Sequence, residues 1–172
     1  PGIFSVVVTI TDSAGASDEG TFEPIVVYDP EGGFVTGGGW IDSNAGAYKL
    51  DPTLSGMANF GFSSQYKKGA SIPTGNTEFH FNAAGLKFKS SSYEWLVVTG
   101  NGTARFKGSG TVNGKAAPNG QPYKFMIWAK DGVPDTLRVK IWSDKPEGEE
   151  VVYDNGFNQS IGGGTIKIHN GK

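Results

Sequence analysis

The sequence predicts an all-β fold, an antiparallel β-barrel or curled β-sandwich of about 8–10 strands with an N-terminal two-strand arm. Three observations predict it. No 11-residue window sustains an i, i+3, i+4, i+7 apolar pattern, so no amphipathic helix is expected. Apolar clusters are short, β-branched or aromatic, and bounded by turn residues. Asn101-Gly102, Asn113-Gly114, Asn119-Gly120, Asp131-Gly132 and Asn155-Gly156 supply residues that tolerate positive φ between those clusters.

The elements follow in order. Residues 3–11 and 21–28 are strand candidates joined by a polar loop over 12–20, and they form the arm. Its apolar residues are Phe4, Val6, Val8 and Ile10 on the first strand and Phe22, Ile25 and Val27 on the second. From Phe34 onward the clearest alternations are 77–81, 86–89, 137–141 and 165–169, where apolar residues share one face and polar residues the other. Hairpin turns between them make consecutive strands neighbours, and curling removes the edges that a long meander would otherwise expose. Gly37-Gly38-Gly39 before Trp40 and Gly162-Gly163-Gly164 before Thr165 are expected to serve bulges, coiling or close backbone contact. Neither tract leads into a helix as a phosphate cradle must.

Composition narrows the function. The chain holds 27 glycines in 172 residues, about twice the usual share. There is no cysteine, which excludes disulfides, thiol nucleophiles and thiolate metal sites. A net charge of -2 and a largest basic run of Lys67-Lys68 give no pull on nucleic acid. No apolar run approaches the length that inserts into a membrane as a helix.

Candidate chemistry is sparse. His80 and His169 lie in alternating strands without metal-ligand spacing, and no G-x-S-x-G elbow occurs. Glu78 and Glu94 are the best available carboxylate pair for glycoside hydrolysis, against the commoner reading of a wet sheet face. Asp131, Asp135 and Asp154 sit beside flexible backbone and would suit calcium, although turn carboxylates more often hold backbone N–H groups. Placing Phe125, Ile127, Leu137, Val139 and Ile141 inward leaves Trp128 and Trp142 on the outer face as ligand-facing aromatics, suited to a polysaccharide or a protein surface. Asn101-Gly102-Thr103 and Asn158-Gln159-Ser160 match the N-glycosylation sequon, the first being also a hairpin turn.

Residues 1–28, with the run Ile3-Phe4-Ser5-Val6-Val7-Val8-Thr9-Ile10-Thr11-Asp12-Ser13-Ala14-Gly15, resemble the last two strands of a PKD domain, an immunoglobulin-like sandwich. Residues 26–41 resemble the junction that follows PKD repeats in bacterial and archaeal secreted and surface proteins. Residues 29–172, with Gly75-Asn76-Thr77-Glu78-Phe79, Tyr93-Glu94-Trp95 and Val151-Val152-Tyr153-Asp154-Asn155-Gly156, resemble the β-rich terminal domain beyond it. The resemblance implies an extracellular or cell-surface location, no catalytic residues to carry over, and self-association or neighbouring domains of the parent protein as partners. A two-stranded hairpin is marginal alone, so the arm is expected to fray, to dock on its own body or to add to a neighbour's sheet. Strand addition between unlike surfaces propagates into a filament. The expected role is therefore a non-catalytic structural or assembly module, with a carbohydrate-binding module as the alternative.

Overall fold

In the computed structural model every residue is described except Tyr28, Pro30, Gly32 and Lys172, as are all side chains but those of 21–24. The arm is a two-stranded antiparallel ribbon of β1 (Gly2–Thr11) and β2 (Ser17–Val27). Its turn is tighter than the sequence suggests, because the Asp12 carboxylate accepts the N–H groups of Ala14 and Ala16 and Gly15 takes φ 87°. Pairing consequently resumes at Ser17, whose hydroxyl meets that of Thr11, and residues 17–20 join the strand rather than the loop. Tyr28, the expected end of the second strand, and the side chain of Phe22 lie outside the described residues.

The body is a ten-stranded antiparallel sheet that curls into a half-barrel. It comprises β3 (Gly33–Ser43), β4 (Gly56–Gln65), β5 (Thr74–Phe81), β6 (Leu86–Thr99), β7 (Thr103–Val112), β8 (Tyr123–Lys130), β9 (Thr136–Lys145), β10 (Gly148–Asp154), β11 (Gln159–Ser160) and β12 (Gly163–Asn170). Strands β3 to β10 pair in chain order, β12 returns to pair with β3, and β11 pairs with β9. The helical content of the described residues is one 3-10 turn at Asn82–Ala84. The expected all-β curled architecture is what forms.

Alternation puts one face of each strand inside the curl. Phe79, Phe81, Phe88, Phe106, Phe125 and Tyr153 are all at most 1% exposed and form a contiguous aromatic core with Leu96, Ile127, Leu137 and Ile141. Rings meet at tilted or edge-on geometry, as with Phe106 against Phe125 at 6.2 Å and 76°, the arrangement that aromatic quadrupoles favour. The hydroxyl of Tyr153 hydrogen-bonds Ser43 at 2.8 Å, so a buried polar group is satisfied where β10 approaches β3.

Both glycine tracts serve close approach. Gly164 opposes Gly39 across the β3–β12 ladder. With φ 100° and space for a Cβ only 2.0 Å from the Gly38 carbonyl oxygen, Gly164 is a position where a side chain would be doubly disfavoured. The Trp40 ring occupies the space that a Cβ on Gly162 would enter.

Each of the sheet's two edges is covered by a loop. The Asp131 and Asp135 carboxylates, in the β8–β9 loop, accept the N–H groups of Ile168 at 3.2 Å and Ile166 at 2.8 Å on edge strand β12. Ile161 donates to the Asp135 carbonyl at 3.0 Å. On the other edge, Lys49 donates to Val152 and Asp154 to Ala47, so the β3–β4 loop covers β10. The remaining stretch of β10 carries Glu149 and Glu150 paired with Lys140 and Lys145, and an edge dense in charge resists further pairing.

Candidate functional site

The outer face of β6 to β9 carries a cluster of aromatic and cationic side chains. Antiparallel register lines up Trp95, Lys107, Met126 and Lys140 in one row, and Val97, Arg105, Trp128 and Arg138 in the next. Lys124 and Trp142 are paired in a third. Aromatic and cationic side chains therefore alternate across neighbouring strands. The Arg138 guanidinium lies 4.5 Å from the centre of the Trp128 ring, and the Lys107 and Lys140 nitrogens lie 5.7 and 4.9 Å from that of Trp142, distances at which cation–π attraction operates.

Carboxylates hold these cations in place. Glu94, set in the bulge between Tyr93 and Trp95, accepts Lys124 at 2.7 Å and meets Lys107 at 3.2 Å. Burial pushes its carboxyl up, but the two ammonium groups outweigh that and hold it below the ordinary range. Asp154 engages Arg138 through two bonds, Nε to Oδ1 at 3.0 Å and Nη2 to Oδ2 at 2.9 Å. Its burial is likewise outweighed, by Arg138 and the Gly156 N–H, so its carboxyl is also lowered. Lys140 pairs with Glu149.

The base of the ribbon rests against this face. Ile3 and Val26 wall a groove of about 340 Å³ whose floor includes Trp95, Met126 and Trp128, with Lys107, Arg138, Lys140, Trp142 and Glu149 also lining it. Ile3 and Gly2 also border a second hollow with Val97 and Arg105. Val97 lies on the outer phase of β6 between core residues Leu96 and Val98, yet it is only 2% exposed because the ribbon base lies over it. Of the three expected fates of the arm, docking on the body is realised at its base.

The ribbon's other face is bare. Phe4, Val8, Ile10, Ile25 and Val27 are exposed, Ile10 to 70%, while Val6 is half-buried. Alternation directs Ile3 to the body and Phe4 outward, and the bulge between Phe4 and Val6 shifts that phase, leaving Val6 half-buried and Val7 exposed. Among the described residues, β1 and β2 form ladders with each other and with no other strand.

The expected ligand-facing aromatics divide. Trp128 is half-buried and lines the groove. Trp142 faces outward as expected but is only 4% exposed, since Lys107 and Lys140 lie over its ring and Asp144 accepts its indole N–H at 2.9 Å. Trp95, Met126 and the groove cations escaped sequence reasoning. Their outward phase is readable strand by strand, but their convergence depends on the register of four strands.

The three carboxylates considered for calcium accept donors from the protein itself. Asp131 receives Ile168 N–H and Lys167, the N–H being the larger reason its carboxyl is lowered. Asp135 receives Gly132 and Ile166, both at 2.8 Å. Asp154 holds Arg138. Among the described residues no three His, Cys, Asp or Glu side chains gather as a metal site requires. Glu78 meets Lys89 at 3.2 Å and borders a hollow with Asn59 and His80 that Glu94 does not line. His169 is stacked on Phe34 at 4.2 Å, and the Asn101 carboxamide accepts the Thr103 hydroxyl at 2.8 Å across its hairpin.

Comparisons of the chain with protein families, with curated proteins and with solved structures return no match.

Proposed function

We propose that the chain is a non-catalytic extracellular structural module that joins its neighbours by strand addition through the β1–β2 ribbon. One observation carries the reading. The body seals or charges both edges of its sheet, whereas the ribbon offers two backbone edges that have no partner strand among the described residues and a run of exposed aliphatic side chains beside them. Extended backbone flanked by Val7, Val8 and Ile10 is what an added strand recognises, because main-chain hydrogen bonds supply affinity and alternate side chains supply fit.

The arrangement that follows is heterologous. The β1 edge of one copy and the β2 edge of the next are different patches, and contacts between such patches extend as open filaments unless their rotation closes a ring. The extracellular setting comes from the PKD resemblance of residues 1–28. Absence of cysteine is compatible with it, since edge sealing by Asp131 and Asp135 supplies cross-links of another kind.

Deleting residues 1–28 tests the reading. Electron microscopy and size-exclusion chromatography of the intact chain should show concentration-dependent assemblies, and the deleted form should stay monomeric. Equal assembly by both forms, or monomers in both, would sink it.

A further inference from the structure

We propose that the groove between the ribbon base and the outer face of β6 to β9 is a binding site for an acidic sugar, a pyranose bearing a carboxylate within a polysaccharide chain. The site is separate from the ribbon's free edges, so it stands or falls independently of assembly.

Three observations converge on that chemistry. First, the cavity of about 340 Å³ is at the small end of ligand sites and is partly open to solvent, so one unit of a longer chain can enter it. Second, Trp95 on β6 and Trp128 on β8 are half-buried rather than closed over, and Met126, two residues before Trp128 on β8, lines the groove with them. Flat, partly wet aromatic surfaces take the C–H face of a sugar ring while leaving its hydroxyls free to hydrogen-bond. Third, the groove's lining is rich in cations, although each holds a carboxylate of the chain. The chain as a whole is at -2, yet the groove is lined by Lys107, Arg138 and Lys140 against Glu149. Arg105 adjoins it and makes no ion pair among the described residues.

Glu149 is the informative residue. Its side chain is 46% exposed and its pairing with Lys140 is a surface contact of the weak class. A ligand carboxylate reaching Lys140 would take its place without stranding a buried charge. Lys107 and Arg138, by contrast, are held by Glu94 and Asp154 at a fixed position, and both retain N–H groups for hydroxyl oxygens. Glu149 thus stands where the ligand's carboxylate would bind, and removing its charge should strengthen binding rather than weaken it.

The intact chain, titrated by calorimetry and tryptophan fluorescence, tests this with a tetra-uronide and a neutral tetrasaccharide of the same length. Expected are quenching and binding by the uronide alone, weakening as salt rises. Trp128→Ala should lower affinity roughly tenfold, and Glu149→Gln should raise it roughly threefold or more, a free-energy gain of about 0.7 kcal/mol. Circular dichroism and a melt confirm that both variants fold, and Glu149→Gln, altering one exposed side chain, keeps the test valid should Trp128→Ala fail. Equal binding of the neutral sugar, preference for an oligonucleotide, no binding at millimolar uronide, or an unchanged or weakened Glu149→Gln complex would each overturn the proposal.

Discussion

Replacing Asp135 with Ala should open the seam of the half-barrel. Its carboxylate accepts two backbone N–H groups, Gly132 and Ile166, both at 2.8 Å. Ile166 is fully buried, so its N–H would lose its acceptor with little access to water. An orphaned buried donor costs about 1–3 kcal/mol, and the half-exposed Gly132 N–H less, giving roughly 2–4 kcal/mol in all. For a chain of this size that corresponds to a fall in midpoint of roughly 4–16 °C. Urea denaturation followed by tryptophan fluorescence measures it directly. Asp135→Asn retains one acceptor oxygen and should fall between wild type and Ala. A loss below about 0.5 kcal/mol for Asp135→Ala, the level of an ordinary surface change, would refute the claim that side chains seal this edge.

Further outcomes follow from the same structure. Asn155→Ala should cost about 2–4 kcal/mol in a denaturant titration, since the buried carboxamide accepts Val139 N–H at 2.8 Å and donates to the carbonyls of Leu137 and Phe157. Glu94, Asp131 and Asp154 have folded carboxyls lowered from 4.5, 3.8 and 3.8, so their stabilisation is complete above those values and is lost as pH falls through the folded ones. Melting midpoints should therefore decline below about pH 4.5, and Asp131→Asn should flatten that decline. Gly164→Ala, forced to φ 100° against the Gly38 carbonyl, should cost at least about 1–3 kcal/mol and register as a lowered melting temperature. A chelator should leave the midpoint unmoved, because Asp131, Asp135 and Asp154 are each held by protein donors.

The sheet was legible in the sequence because alternation and turns are local signals. Asn101-Gly102 and Asn113-Gly114 sit at turns, with Asn113 at φ 52° and Gly114 at φ 74°, and the strands they separate pair as neighbours. The outward phase of Trp128 and Trp142 was legible for the same reason. What could not be read locally is everything set by sequence-distant contact. Burial of Trp142 depends on Lys107 from another strand, and the groove depends on Ile3 meeting Trp95 and Trp128. The aspartates illustrate the limit best. A turn carboxylate looks alike whether it holds a cation or an edge strand's N–H, and only the return of β12 beside the β8–β9 loop gives Asp131 and Asp135 their donors.

The ribbon's backbone edges are where the assembly account is most exposed to test. Hydrogen–deuterium exchange of the intact chain, followed from dilute to concentrated solution, reads those amides directly. Strand addition predicts that the outward-pointing amides of residues 2–11 and 17–27 exchange quickly when dilute and become protected as concentration rises, while those of 34–170 stay unchanged. Ribbon amides that exchange at the same rate across the whole concentration range would contradict it.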